Sequence, residues 1–187
     1  SYESQTMNNV SFIGEYAFYE CISLSLSFQC YCDYIGQYAF YKSGIEKIYI
    51  NCSYIGTGAF QQSKLKYVDF NSKDSLSIGK DLFSMCINIS HLNFTSNNLK
   101  AIPNHFCYNC ESLTRFTLPS SVNYIGKSAF EGCIHLKNLI INSDLFYIAP
   151  LAIANCIALI NITYKGEHQP RYSNDSFLNS NAIRSVT

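Results

Sequence analysis

Hydrophobic positions along the 187-residue chain fall into one pattern, repeated seven times. Each copy begins with Ile followed by Gly or a substitute for it: Ile13-Gly14, Ile35-Gly36, Ile55-Gly56, Ile78-Gly79, Ile102-Pro103, Ile125-Gly126 and Ile148-Ala149, at spacings of 20 to 24 residues. Four residues after each Ile comes Ala-Phe or a relative, such as Ala17-Phe18, Ala39-Phe40, Leu82-Phe83, Phe106-Cys107 and Ala152-Ile153. Three residues beyond that pair stands Cys21, Cys86, Cys110, Cys133 or Cys156, with Ser43 and Ser63 taking the position in two copies. Each unit closes on an apolar-x-apolar triplet, read as Leu26-Ser27-Phe28, Ile48-Tyr49-Ile50, Val68-Asp69-Phe70, Leu92-Asn93-Phe94, Phe116-Thr117-Leu118, Leu139-Ile140-Ile141 and Ile162-Thr163-Tyr164. On this reading the first three copies are one residue short before the triplet.

A unit of this length holds one short strand and a return path, too little to enclose a core alone, so neighbouring units must stack. Consecutive triplets then pair as parallel strands about 4.8 Å apart. The three-and-four spacing of Ala-Phe-x-x-Cys-x-x-Leu predicts a short helical turn on the opposite side. Gly after Ile predicts a backbone position with positive φ or a close approach. The fold expected is an α/β repeat solenoid with a parallel concave sheet of about seven short strands and helical turns on the convex side. A parallel β-helix is the second architecture, disfavoured by the helical spacing. Residues 1–12 read as the end of a preceding linker or repeat, 13–166 as seven repeats, and 167–187 as a C-terminal cap or linker.

The unit running from Ile125-Gly126 through Ala129-Phe130 and Cys133 to Leu139-Ile140-Ile141, with Leu118-Pro119-Ser120-Ser121-Val122 before it, resembles the BspA-like, or treponemal-type, leucine-rich repeats. The resemblance covers about Val10 to Lys165. It implies a right-handed leucine-rich-repeat superhelix from a cell-surface or secreted protein of a mucosa-associated bacterium or microbial eukaryote. It further implies a binding or adhesion role toward host or matrix protein or glycan.

Composition narrows the function classes. Charged residues are only 14% of the chain, and 13 basic residues balance 13 acidic ones. With no basic excess, nucleic acid and anionic membrane surfaces are not expected partners. No apolar run approaches the length of about 18 residues that a membrane-spanning helix needs. No phosphate loop, H-E-x-x-H or G-x-S-x-G occurs, and the acidic residues are scattered, so no enzyme and no cofactor are expected.

Residues flanking and splitting each triplet should form the exposed concave face. Mostly small and polar, they include one aromatic cluster, in which Tyr49 and Tyr67 stand beside Lys47 and Asp69, with His91 in the next unit. These five form the expected contact patch, since exposed Tyr among hydrogen-bonding neighbours suits protein or glycan contact. Three of six N-x-[ST] sequons, at Asn51, Asn93 and Asn161, fall on the same face, where glycans would obstruct binding; the others are at Asn9, Asn88 and Asn174.

Nine cysteines, an odd number, do not form a closed disulfide framework. Cys107 and the five in the repeated column read as small buried fillers. Cys30, Cys32 and Cys52 read as loop residues. Cys32 and Cys52 each stand three residues before an Ile, one repeat apart, and a disulfide between them is an expectation. His105-x-Cys107-x-x-Cys110 has the look of half a zinc site, but the register makes its cysteines interior, and no metal is expected. The chain begins in mid-linker phase, and the expectation there is missing repeats or self-association through an uncapped end. An intracellular interaction scaffold, with all thiols free, is the alternative to the surface role.

Overall fold

A computed structural model describes residues 5–7, 10–25, 27–71, 76–94, 98–182 and 185–186, with 5–7, 28 and 185–186 described in backbone only. Leu26 and Asn9 lie outside these residues. Every turn of the coil supplies two strands. A two-residue back strand carries the repeat's Ile: β2 (Phe12–Ile13), β4 (Tyr34–Ile35), β6 (Tyr54–Ile55), β8 (Ser77–Ile78), β10 (Ala101–Ile102), β12 (Tyr124–Ile125), β14 (Tyr147–Ile148) and β16 (Arg171–Tyr172). A longer front strand carries the triplet: β1 (Gln5–Met7), β3 (Ser27–Tyr31), β5 (Lys47–Asn51), β7 (Tyr67–Phe70), β9 (His91–Phe94), β11 (Arg115–Leu118), β13 (Asn138–Ile141), β15 (Asn161–Tyr164) and β17 (Ser185–Val186). The pairings between successive turns are parallel, as expected of a solenoid. Burial alternates along the front strands, with Ile48 and Ile50, Val68 and Phe70, and Leu139 and Ile141 pointing inward.

The expected helical turns on the side opposite the front sheet are not there: among the described residues no helix occurs. The backbone instead enters the left-handed region twice per unit, three and seven residues after the Ile. Tyr16 (φ 57°) and Glu20 (φ 54°) do so in the first unit, and Leu151 and Asn155 in the seventh. A left-handed residue costs about 1 kcal/mol or more unless it is Gly, and Gly58 and Gly132 take two of these positions. The cost is offset by hydrogen bonds that an α-helix would have kept inside the turn. Tyr16 N–H, Phe18 N–H and Glu20 N–H each donate to the next turn, reaching Gln37 O, Ala39 O and Tyr41 O. The three-and-four spacing was thus a true inward-facing pattern, but the backbone pairs between turns, forming a third ladder in place of a helix.

The first unit also differs from its reading. Phe28 pairs in register with Ile48 and Cys30 with Ile50, so its triplet is Phe28-Gln29-Cys30. That unit is longer than its neighbours before the triplet, and Cys30 is a buried strand residue. At the other end, β16 and β17 continue both ladders within the segment expected as a cap or linker. Ser176, Phe177 and Ser180 repeat there the Ala, Phe and Cys positions.

The Gly after Ile answers to close approach. A Cβ built on Gly56 would lie 2.5 Å from Gln37 N of the preceding turn, and one on Gly36 2.5 Å from Glu15 N. Its amide also completes the back ladder, as when Gly56 N–H donates to Ile35 O at 2.8 Å and Gly79 N–H to Ile55 O at 2.7 Å. Pro103 has no amide hydrogen. At that unit the back ladder divides into β2-β4-β6-β8 and β10-β12-β14-β16, and the front sheet divides between β9 and β11. The third ladder runs on across the joint through Asp81 N–H, Phe83 N–H and Met85 N–H to Asn104 O, Phe106 O and Tyr108 O.

Candidate functional site

The front sheet brings all five expected contact residues together on β5, β7 and β9. Register places Lys47, Tyr67 and His91 in one row and Tyr49, Asp69 and Asn93 in the next outward-facing row. Period-two alternation is the local cause, because Ile48 and Val68 turn into the core and hold their neighbours outward. Lys47 Nζ lies 4.4 Å from the Tyr67 ring centre and 4.8 Å from that of Tyr49. The two tyrosine rings are 5.6 Å apart and tilted, and His91 stacks on Tyr67 at 4.1 Å with the planes nearly parallel. Tyr67 OH donates to Asp69 Oδ2 at 3.5 Å, and Asn93 Nδ2 donates to Asp69 Oδ1 at 3.4 Å. The Tyr49 hydroxyl and the neighbouring acidic groups raise the Lys47 pKa, so its ammonium is fully charged at neutral pH. Partial burial pushes the Tyr67 phenol up, with Asp69 adding to it.

Because rings stack along the coil axis, outgoing contacts are made by ring edges, hydroxyls, an ammonium and a carboxylate, a surface that hydrogen-bonds more than it covers apolar area. Beside it lies a depression of about 300 Å³ lined by Gln29, Tyr31, Tyr49, Ile50, Asn51, Asp69 and Asn71. Gln29 and Tyr31 belong to this site, and the misread first triplet hid Tyr31. Treating Cys30 as the second apolar member of that triplet is the signal that would have found it. Among the sequon asparagines, Asn51 lines the depression, Asn93 is tied to Asp69, and Asn161 Nδ2 donates to Asn138 Oδ1 at 3.0 Å.

The cysteine column is a donor ladder inside the core. Cys86 Sγ donates to Phe60 O at 2.9 Å, Cys110 to Phe83 O at 3.1 Å, Cys133 to Cys107 O at 3.2 Å and Cys156 to Phe130 O at 3.2 Å. Ser180 Oγ donates to Ile153 O at 2.6 Å in the eighth turn. Small side chains fill the position throughout; in the third unit Ser63 Oγ pairs with Cys86 Sγ at 3.4 Å, while in the second the Ser43 hydroxyl is buried with no hydrogen-bond partner among the described residues. Burial pushes the thiols up, Cys107 to about 11 and Cys156 to about 12. Cys21, in the first unit, is exposed.

Cys30 is a strand residue of β3, whereas Cys32 and Cys52 stand in the connections just after β3 and β5; all three are buried in the core corner behind the front sheet, and Cys32 lies against Cys30. His105 does not join the buried Cys107 and Cys110; it lies 3.0 Å from Asp81. Among the described residues, the one grouping with three ligand atoms close together is exposed Asp144, Glu167 and His168.

A match to the BspA type leucine rich repeat region, in six copies, spans residues 2–105 and 100–187. A leucine-rich repeat protein from Bacteroides ovatus is similar in structure, with a TM-score of 0.81 and 26% identity over 97% of this chain and 47% of that one. The chain thus spans about half that protein's length. A leucine rich cell surface protein from Faecalibacterium prausnitzii has a TM-score of 0.64 at 16% identity, over 95% of this chain and 70% of its own. The leucine rich repeat protein of T. pallidum has a TM-score of 0.58 at 22% identity, over 90% and 70%. These last two speak to the fold alone. No curated protein matches the chain. The repeat register, the parallel ladders and the family match agree: this chain belongs to the BspA-type leucine-rich-repeat family.

Proposed function

We propose that the chain is a non-enzymatic binding module of a cell-surface or secreted protein, presenting its front sheet to a host or matrix protein or glycan. The observation that carries the reading is the Lys47 ammonium held against Tyr49 and Tyr67, with His91 stacked behind, on a row otherwise built of small polar side chains. Such a cluster is fixed in place before any ligand arrives, so little side-chain entropy is lost on binding. Tyr31 and Gln29 extend the contact area across the adjoining depression. The surface location is supported by the BspA-type family match.

The test is binding of wild type and of a Tyr49→Ala/Tyr67→Ala double variant to host-cell and matrix preparations. Loss of tenfold or more in affinity is expected, on the order of 1.4 kcal/mol or above, as for central aromatic contact residues. Equal binding by both proteins removes the front patch as the contact site.

A further inference from the structure

Three sulfurs share one corner of the core behind the front sheet. Cys30 is the fourth residue of β3 and Cys32 is the next inward residue, where the chain leaves the strand; both are 3% exposed. Their Sγ atoms are 2.6 Å apart, inside the contact distance of two unbonded sulfurs. Cys52 is the counterpart of Cys32 one turn on, and it is also 3% exposed.

Packing does not require sulfur at these positions. Ile50 and Phe70 occupy the place of Cys30 in the next two turns, and Leu118 and Ile141 do so further along. Leu99, Val122 and Leu145 occupy the place of Cys32, three residues before their Ile. The sulfurs also differ in their partners. The column cysteines donate to backbone carbonyls of the preceding turn, whereas Cys30 and Cys32 face each other.

We propose that Cys30 and Cys32 form a reversible dithiol–disulfide pair, oxidised by a low-molecular-weight disulfide. With Cys30 near the end of β3 and Cys32 just beyond it, both side chains turn inward and their sulfurs already touch, so a small approach closes the bond. Cys32 is the attacking group, since the Cys30 thiol hydrogen bond lowers its pKa, while the same contact and burial raise Cys30. The Cys32 thiolate bonds to one sulfur of the small disulfide and releases the other as a thiolate, which takes up the proton that Cys32 lost. Cys30 then attacks Cys32 Sγ and displaces the second small thiolate, which takes up the proton from Cys30. The chain gives up two electrons and two protons, and the small disulfide becomes two thiols. The ring closes over Tyr31, which lines the front depression.

The full chain is treated with oxidised glutathione, quenched, denatured, alkylated and cut at Lys and Arg. Cleavage first falls after Lys42, Lys47 and Lys64, so Cys21, Cys30 and Cys32 share one peptide and Cys52 lies in another. The expected result is a residue 1–42 peptide lighter by two hydrogens with a single alkylated cysteine, and an alkylated 48–64 peptide. A Cys21→Ala variant, changing an exposed residue, retains the loss of two hydrogens, and Cys30→Ala abolishes it. Alkylation of all three cysteines in the 1–42 peptide overturns the proposal. So does a cross-link joining that peptide to 48–64, or persistence of the internal disulfide in Cys30→Ala. If Cys30→Ala does not fold, wild type and Cys21→Ala still decide the question.

Discussion

The two halves of this solenoid share one repeat and pack it differently. From the first unit to the fourth, Phe18, Phe40, Phe60 and Phe83 stack face to face, at 4.9, 5.2 and 5.7 Å between ring centres. From the fifth onward the rings meet edge to face, Phe83 against Phe106 at 77° and Phe106 against Phe130 at 74°. The change begins where the large and small residues of the Ala-Phe pair exchange places, as Phe106-Cys107. It coincides with Pro103, where both strand ladders divide. The N-terminal half is also aromatic outside, with Phe12, Tyr34 and Tyr54 stacked in a row and Tyr16 on Tyr38 and Tyr19 on Tyr41. A repeat therefore tolerates a local break in two of its three ladders, provided that the third ladder and the core rings cross it.

That comparison is most severely broken by Phe106→Ala. Phe106 meets the rings of Phe83, Phe94, Phe116 and Phe130, and its truncation is expected to cost about 3–5 kcal/mol. It should also separate the halves, so that denaturant unfolding followed by circular dichroism becomes two transitions; a single transition with an unchanged midpoint would refute the joint.

Alkaline pH acts next, through buried thiols in both halves, Cys52 and Cys86 in the first and Cys107 and Cys156 in the second, all raised chiefly by burial. In the folded state Cys107 and Cys156 titrate at about 11 and about 12, above the ordinary 9.0, so the folded chain keeps protons that the unfolded chain loses. The stabilisation is complete below pH 9 and is lost as pH rises from 9 through 11 and 12, on the order of 2 kcal/mol or more for Cys107. Melting curves of wild type and Cys107→Ala across that window should converge as pH rises.

Gly56→Ala in the N-terminal half should cost about 1–3 kcal/mol, because the added Cβ meets backbone of the preceding turn. Ala149→Gly, at the equivalent position in the seventh unit, should cost only about 0.5–1 kcal/mol in thermal melts. Equal losses would mean that the turns are no closer at Gly56 than at Ala149.

The smallest effect on stability is expected of Pro103→Gly. It supplies an amide for Ile78 O, worth about 1 kcal/mol, and adds backbone entropy of similar size to the unfolded chain. Hydrogen exchange is the sensitive readout: the new amide at residue 103 should be protected like those of Gly79 and Gly126.

Much of this was legible along the chain. The Ile-Gly steps and triplets fixed unit boundaries, and Lys47, Tyr49, Tyr67, Asp69 and His91 were found because period two leaves no other direction for them. What misled were places where local spacing has two solutions. Ala-Phe-x-x-Cys reads as a helical face, yet the same residues point inward from a chain of left-handed steps. Leu26-Ser27-Phe28 matched the triplet as well as Phe28-Gln29-Cys30 did, which displaced Tyr31 and Cys30 from their places.

The sequence by itself determined the repeat, its approximate length and which side chains of β5, β7 and β9 face outward together, because side-chain periodicity is a property of the local chain. Tertiary structure alone decided where backbone hydrogen bonds go. Whether an amide pairs within its own turn or with the next depends on how close the turns lie, and that distance is set by Gly56 and its equivalents. It also decided that the first triplet is Phe28-Gln29-Cys30, a matter of register between β3 and β5 that no spacing within one unit can fix.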